Sequence, residues 1–283
     1  GYAYEQMAIL FRTNLGIRFV MDALMKGGIP FHMKDAIPNL FAHWISLDII
    51  AYLRLVSGTG NTRANWLRIM NRPNRYIKRE ALAPFTSDIS VAQLKAYYQD
   101  KDWMLERLDR LEYDLSIMKR MSPYAAIHYL SNAMKYQDYL KDYAKEHHIN
   151  EQELLDVLNA VHESSQSCRT FAEWFTYIDT YTEELQKQAK SPASKDANNE
   201  SGVCLCTLHC AKGLEYPIVF IPDINEDNIP HARAAVDADL EEERRLFYVG
   251  ITRAKEHLHL YCVGEASGKE KFPSRFLEEL NEM

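Results

Sequence analysis

The strand-like runs of this chain lie at its two ends, and a long stretch of helical periodicity separates them. MAILF (7–11) and YPIVFIP (216–222) are continuous apolar runs, short enough for strands buried on both faces. VCLCTLH (203–209) and HLHLYCV (257–263) alternate instead, which suits strands with one face covered. Between 68 and 190 the pattern is almost wholly helical. A sheet drawn from runs so far apart in the chain needs the helical block to be inserted into it. The sequence therefore predicts an α/β domain built from 1–67 and 198–283, with an all-helical domain over 68–190 and a polar linker over 191–197.

Helix punctuation supports the division. LGIRFVMDALMKGGIPF (15–31) carries helical spacing and stops at Gly27-Gly28, and ISLDIIAYLRLV (45–56) is a second amphipathic helix. In the central block Met104, Leu108, Leu111, Leu115 and Met118 recur at three- and four-residue spacing, one apolar face on a charged helix. Ser122 followed by Pro123, Asn150 and Thr170 stand where N-caps belong. QAKSPASKDANNESG (188–202) has no apolar periodicity.

Composition narrows the class. With 283 residues, 47% hydrophobic and 26% charged, the chain can bury a substantial core. No run approaches the roughly 18 apolar residues that span a bilayer. Five cysteines, clustered and odd in number, suit a reducing cytoplasm better than a disulfide framework. A net charge of −7 argues against a histone-like coat on DNA, but a local basic patch is all that nucleic-acid binding requires. The chain opens GYAYEQMAILF without an initiator Met, which leads us to expect a piece of a longer protein; a processed N-terminus is the alternative.

Chemistry concentrates in two segments. TLHCAKGLEYPIVFIP (207–222) reads as strand, polar loop and strand, presenting Thr207, His209, Lys212 and Glu215 around Gly213 near a sheet end. EEERRLFYVGITRAKEHLHL (241–260) reads as a charged helix over 241–249 that breaks at Gly250, then a turn bearing Arg253, then a strand. A guanidinium at such a turn meets a phosphate with two parallel hydrogen bonds, or serves as an ordinary surface arginine; spacing alone leaves both open.

These segments, with MAILFRTN near the start and FPSRFLEEL near the end, resemble the C-terminal half of superfamily 1 DNA helicases of the UvrD/Rep/PcrA type. The resemblance implies a RecA-like parallel-sheet domain of the P-loop-NTPase kind, interrupted by a helical insertion. It implies that Arg253 reaches the γ-phosphate of ATP, and that Arg12 is a second phosphate-contacting arginine. Phe11 stands where relatives place a Tyr beside the adenine, and Glu215, after Gly213, matches a carboxylate that accepts from the ribose hydroxyl. Thr207 and His209 match residues facing single-stranded DNA, and His231 in IPHARA resembles another. The implied partners are single-stranded DNA, single-strand/duplex junctions and the N-terminal RecA-like domain of the same protein.

The phosphate cradle itself is missing. No G-x-x-x-x-G-K-[ST] occurs, and GEASGKE (264–270) is one residue short between its glycines, with Glu where a Mg²⁺-binding hydroxyl belongs. The expectation is that the other motor domain holds ATP and Mg²⁺, and that this chain alone is inactive. Cys204, Cys206 and Cys210 with His209 lack the C-x₂₋₄-C spacing of zinc knuckles and read as core thiols, so no metal site is expected.

TRANWLRIMNRPNRYIKRE (62–80) interleaves Arg63, Arg68, Arg72, Arg75, Lys78 and Arg79 with Trp66 and Tyr76. Such mixing suits a nucleic-acid backbone with base stacking, Arg75 foremost, or else a solvated helix end. Relatives carry a Gly-Ile-Gly hairpin near here that grips duplex DNA; this chain has Tyr76-Ile77-Lys78. A non-catalytic DNA-binding or protein-interaction module that keeps the helicase fold is the alternative function.

Overall fold

The computed structural model describes residues 1–34, 38–60, 62–190, 201–232, 234, 237–266 and 269–281. The expected linker at 191–197 lies outside the described residues. In chain order the elements are β1 (Met7–Phe11), α1 (Asn14–Lys26), β2 (Phe31–Met33), α2 (Trp44–Ser57), α3 (Arg63–Ile69), α4 (Val91–Tyr97), α5 (Asp102–Met118), α6 (Pro123–Asn132), α7 (Tyr136–His147), α8 (Glu151–Ser164), α9 (Phe171–Lys190), β3 (Val203–Thr207), β4 (Tyr216–Ile221), α10 (Asp237–Ile251), β5 (Ala254–Leu260), β6 (Glu265–Ala266), β7 (Lys269–Glu270) and α11 (Arg275–Asn281). They fall into two compact units, 1–38 with 185–283, and 39–184.

The first unit is built on a parallel five-stranded sheet in the order β2-β3-β1-β4-β5. Strands from the two ends of the chain interleave, with Phe11 opposite Thr207 and Ile9 opposite both Leu205 and Phe220. β3, β1 and β4 are the inner strands, and Ala8, Leu10, Cys204, Cys206, Val219 and Ile221 form the core with Leu246 and Phe247 of α10. The alternation in VCLCTLH misleads at this point: Val203 to Cys206 are all buried, because a parallel strand inside the sheet is covered on both faces. The alternation in β5 is real, since β5 is an edge strand.

Gly250 does not break its helix; α10 continues through it to Ile251. Its role is close approach. A Cβ there would collide with Leu208 Cδ2 and lie 3.2 Å from Ile221 Cδ1, so the missing side chain lets α10 lie against the sheet and the β3–β4 connection. GEASGKE contributes the antiparallel pair β6–β7.

The helical unit begins ahead of Arg68. α2 buries Ile45, Ile49, Ala51, Tyr52 and Leu53 together, and it packs on α3, α5, α6 and α8, which places 39–67 with the helices. The three N-caps act as their sequence suggests: Ser122 accepts from Ala125 N (3.3 Å), Asn150 from Gln152 N (2.9 Å) and Thr170 from Glu173 N (3.2 Å). The apolar stripe of α5 faces inward, with Met104, Leu108, Leu111 and Met118 buried and Leu115 half-buried.

A buried carboxylate ties this unit together. Asp48, in the apolar run of α2, has a fully buried side chain. It accepts from Arg72 Nη1 (2.8 Å), Arg68 Nη1 (3.2 Å) and the Tyr136 hydroxyl (2.9 Å). Burial pushes its carboxyl up; Arg72, Tyr136 and Arg68 pull the other way without cancelling the shift.

Candidate functional site at the two ends of the sheet

Because all five strands run the same way, residues that follow strands gather at one end of the sheet and residues that precede them at the other. Arg12 follows β1, Thr207 ends β3, and His209 lies two residues beyond it. Leu208 N donates to Phe11 O (2.8 Å), so these two strand ends are neighbours. Thr207 Oγ1 accepts from Cys210 N (3.3 Å) and turns the chain, which leaves His209 exposed.

Glu243 of α10 organises this carboxyl end. Arg12 grips its carboxylate from two nitrogens, Nη2 at 2.6 Å and Nε at 2.9 Å, and His231 N donates to it at 3.0 Å. One side chain thus joins β1, the loop bearing His231, and α10. The pair is largely enclosed, the side chains being 18% and 11% exposed, so solvent screens it little. Burial works to raise the Glu243 carboxyl, but the Arg12 hydrogen bonds, His231 N–H and Arg12 charge outweigh it and hold the group below the usual range.

A group held low when folded stabilises above its unfolded pKa, near 4.5, and that contribution is lost as pH falls through the folded value. Glu243→Gln should therefore cost about 1–3 kcal/mol at neutral pH. Denaturant melts should show the difference from wild type shrinking below pH 4.5. An undiminished difference at acid pH would show that the ion pair does not set the stability.

The opposite end carries a different constellation. Arg253 lies between α10 and β5, and Tyr216 opens β4 opposite Ala254. Tyr216 N donates to Arg253 O (2.9 Å), which seats the arginine against the Gly213–Glu215 loop. Its guanidinium is held by Nε on Val249 O (2.9 Å), Nη1 on Leu214 O (3.0 Å) and Nη2 on Thr252 Oγ1 (2.9 Å). All three acceptors are neutral, so the positive charge is positioned without being cancelled. With five N–H groups in all, one remains on each terminal nitrogen, a fork spaced for two oxygens of one anion.

Gly213 adopts φ +88, a left-handed conformation that favours glycine, with open space where a side chain would stand. Glu215 is exposed and meets Lys255 Nζ at 3.2 Å, a weak surface pair that a ligand hydroxyl can displace.

Arg12 and Arg253 stand at opposite ends of the sheet, their α-carbons separated along the strands by on the order of 25 Å at about 3.3 Å per residue. Each guanidinium is anchored at its own end, Arg12 on Glu243 and Arg253 on Val249 O, Leu214 O and Thr252 Oγ1. Phe11 is 3% exposed, and its ring lies against Gly16, where a Cβ would stand 3.1 Å away.

In the helical unit, Arg75 donates to Ile69 O and Pro73 O and lies over the Tyr52 ring at 5.8 Å. Trp66 is buried, and Arg68 and Arg72 hold Asp48. Much of the basic–aromatic stretch is therefore internal structure; Lys78, Arg79 and Tyr76 remain exposed.

Sequence reasoning missed Glu243. The available signal was helical phase: in 241–250 the buried positions 243, 246, 247 and 250 share one face, which singles out one Glu of three. Among the described residues no group of three or more His, Cys, Asp or Glu is arranged to hold a metal ion. Among those same residues no helix is long and apolar enough to cross a membrane.

A parallel α/β sheet with a polar loop at each end is the architecture of a RecA-like helicase domain. Residues 1–264 match the UvrD-like helicase C-terminal domain, and the chain belongs to that family. It is 30% identical over 292 residues to the putative ATP-dependent DNA helicase YjcD of Bacillus subtilis, covering 99% of this chain and 37% of the relative. It is 29% identical over 307 residues to the ATP-dependent DNA helicase PcrA of Staphylococcus epidermidis, covering 100% of this chain and 40% of that protein. PcrA of Bacillus subtilis is 30% identical over 275 residues, covering 90% and 36%. The chain thus spans well under half the length of these relatives.

Proposed function

We propose that this chain is the second motor domain, with its helical insertion, of an ATP-dependent DNA helicase that moves on single-stranded DNA. The observation that carries the reading is Arg253: a fixed guanidinium with neutral partners and one free N–H on each terminal nitrogen. It suits the γ-phosphate of ATP bound by a neighbouring RecA-like domain, which would also hold Mg²⁺. Gly213 and Glu215 flank it, and Glu215 can accept from a ribose hydroxyl.

The carboxyl end takes the DNA. Thr207, His209 and His231 face the single strand there. Arg12 belongs with them, since its guanidinium sits at that end and Glu243 fixes its orientation. α10 runs between the two ends, holding Glu243 on one side and leading to Arg253 on the other, so closure on the nucleotide can be felt at the strand. Arg253 lowers the barrier by stabilising charge on the transferring phosphoryl group, an effect on the order of 10³–10⁵ in rate for such fingers.

The purified chain tests the half-site reading. It should bind a labelled single strand and should not turn over ATP with Mg²⁺, with or without DNA. Multiple turnovers would show a complete hydrolytic site within the chain and overturn it.

A further inference from the structure

The cations around α5 are of two kinds. Lys95 of α4 is clamped by Asp109 Oδ1 (2.6 Å) and Glu112 Oε2 (2.5 Å), and Arg110 Nε meets Asp114 Oδ1 at 3.2 Å. Arg107, exposed on the same helix, makes no ion pair among the described residues. Its guanidinium carbon lies 4.9 Å from the centre of the Tyr76 ring and 5.0 Å from that of Trp103, so two aromatic faces hold it. Rings orient a guanidinium without neutralising it or using up its N–H donors.

Both rings stand on the surface. Trp103 is 50% and Tyr76 59% exposed, whereas Trp66 and Trp174 of the same unit are buried. Tyr76 also holds φ 59°, a left-handed backbone unusual for a bulky residue. Asn71 fixes that turn, accepting from Ile77 N (2.9 Å) and donating to Ile77 O (2.9 Å), and Asn74 Oδ1 accepts from Tyr76 N (3.1 Å). The chain thus strains its backbone to keep an exposed ring over Arg107. Tyr98 brings two more cations to the neighbourhood: its hydroxyl accepts from Lys78 N (2.7 Å), and Lys101 Nζ lies 6.0 Å from its ring centre. Lys78 and Lys101 are exposed, and neither is ion-paired among the described residues.

From this arrangement we propose that Tyr76, Trp103 and Arg107, with Lys78 and Lys101, form a docking site for a short acidic segment of a partner protein. Carboxylates of the segment meet Arg107 and the two lysines, and one of its apolar side chains packs on the face of Trp103 turned away from Arg107. Exposed Trp, Tyr and Arg in one patch are the residue types that dominate protein–protein binding energy. Charge sets the choice of partner: three uncompensated cations select a short run of carboxylates. A duplex carries a charge every 1.7 Å or so, roughly, along its axis, and a compact patch does not track it. The net charge of −7 on the chain works against such a long polyanion as well. The patch lies wholly within the helical unit and does not depend on the reading of the motor domain.

The test is a fluorescence-anisotropy titration of the full chain into a fluorescein-labelled peptide of alternating Asp and Phe. Arg107→Ala should weaken binding about thirtyfold and Trp103→Ala about tenfold, the range of interface hot spots. Arg107→Lys should restore little, because an ammonium lacks the flat face that two rings can hold. Arg120→Ala, beyond the far end of α5, should change nothing. Tyr76→Gly removes the ring and relieves the backbone, so binding should weaken by about tenfold with Tm kept or raised. A lowered Tm with unchanged peptide affinity would make the ring a structural brace and overturn the proposal. Absence of binding by the wild-type chain, or equal affinity in Arg107→Ala, would overturn it too. Displacement of the peptide by a duplex oligonucleotide whose own binding is lost in Arg107→Ala would assign the patch to nucleic acid and contradict the protein partner.

Discussion

Arg253→Ala in the full-length protein should lower single-strand-stimulated ATP turnover about a thousandfold or more, with nucleotide still bound. The size follows from what the side chain is prevented from doing in the resting structure. Val249 O, Leu214 O and Thr252 Oγ1 fix the guanidinium in place, yet none neutralises it. Charge that develops on a phosphoryl group then meets a donor needing no reorganisation. Lysine should rescue poorly, since an ammonium cannot reproduce both the anchoring bonds and the free fork. An equal loss in nucleotide affinity and turnover would mean that Arg253 binds ground state and transition state alike. Near-normal turnover would make it a structural residue of the α10–β5 turn.

The second large effect belongs to the helical unit. Arg72→Ala should destabilise it by about 3 kcal/mol, because the Asp48 carboxylate stays buried with one of its two cations removed. Asp48 already has its folded pKa raised, and the raised state favours the protonated acid. Its contribution to stability is therefore fullest at low pH and falls as pH rises through the folded value. Losing Arg72 raises that value further, so the defect should be larger at pH 8 than at pH 5 in urea unfolding. A defect independent of pH would point to lost packing of Arg72 over the Trp44 ring, 5.5 Å away, as the main cause.

Apolar runs and caps announced the elements plainly, and motif order announced the family. The parallel sheet came with the family resemblance, but strand register was not legible, because MAILF and TLHCAKGLEY carry no sign of which residues pair. Arg12 and Arg253 read alike as phosphate arginines in sequence. Only the parallel pairing of β1, β4 and β5 puts them at opposite ends. The Arg12–Glu243 pair spans most of the chain, which no local pattern reveals. Asp48 was more accessible: a carboxylate inside ISLDIIAYL has to find cations, and the arginines of 62–80 were the nearest supply. As a sequence patch those arginines suit DNA or a solvated helix end alike; the structure gives Arg68 and Arg72 to Asp48.

The claim that most needs testing is that one sheet keeps nucleotide and DNA at separate ends. The direct measurement is ATP turnover by full-length Arg12→Gln as a function of single-strand concentration. The account predicts a raised half-saturating DNA concentration, with turnover at saturating DNA close to wild type. A large fall in saturated turnover, with half-saturation unchanged, would place Arg12 at the phosphate and contradict the division of the sheet.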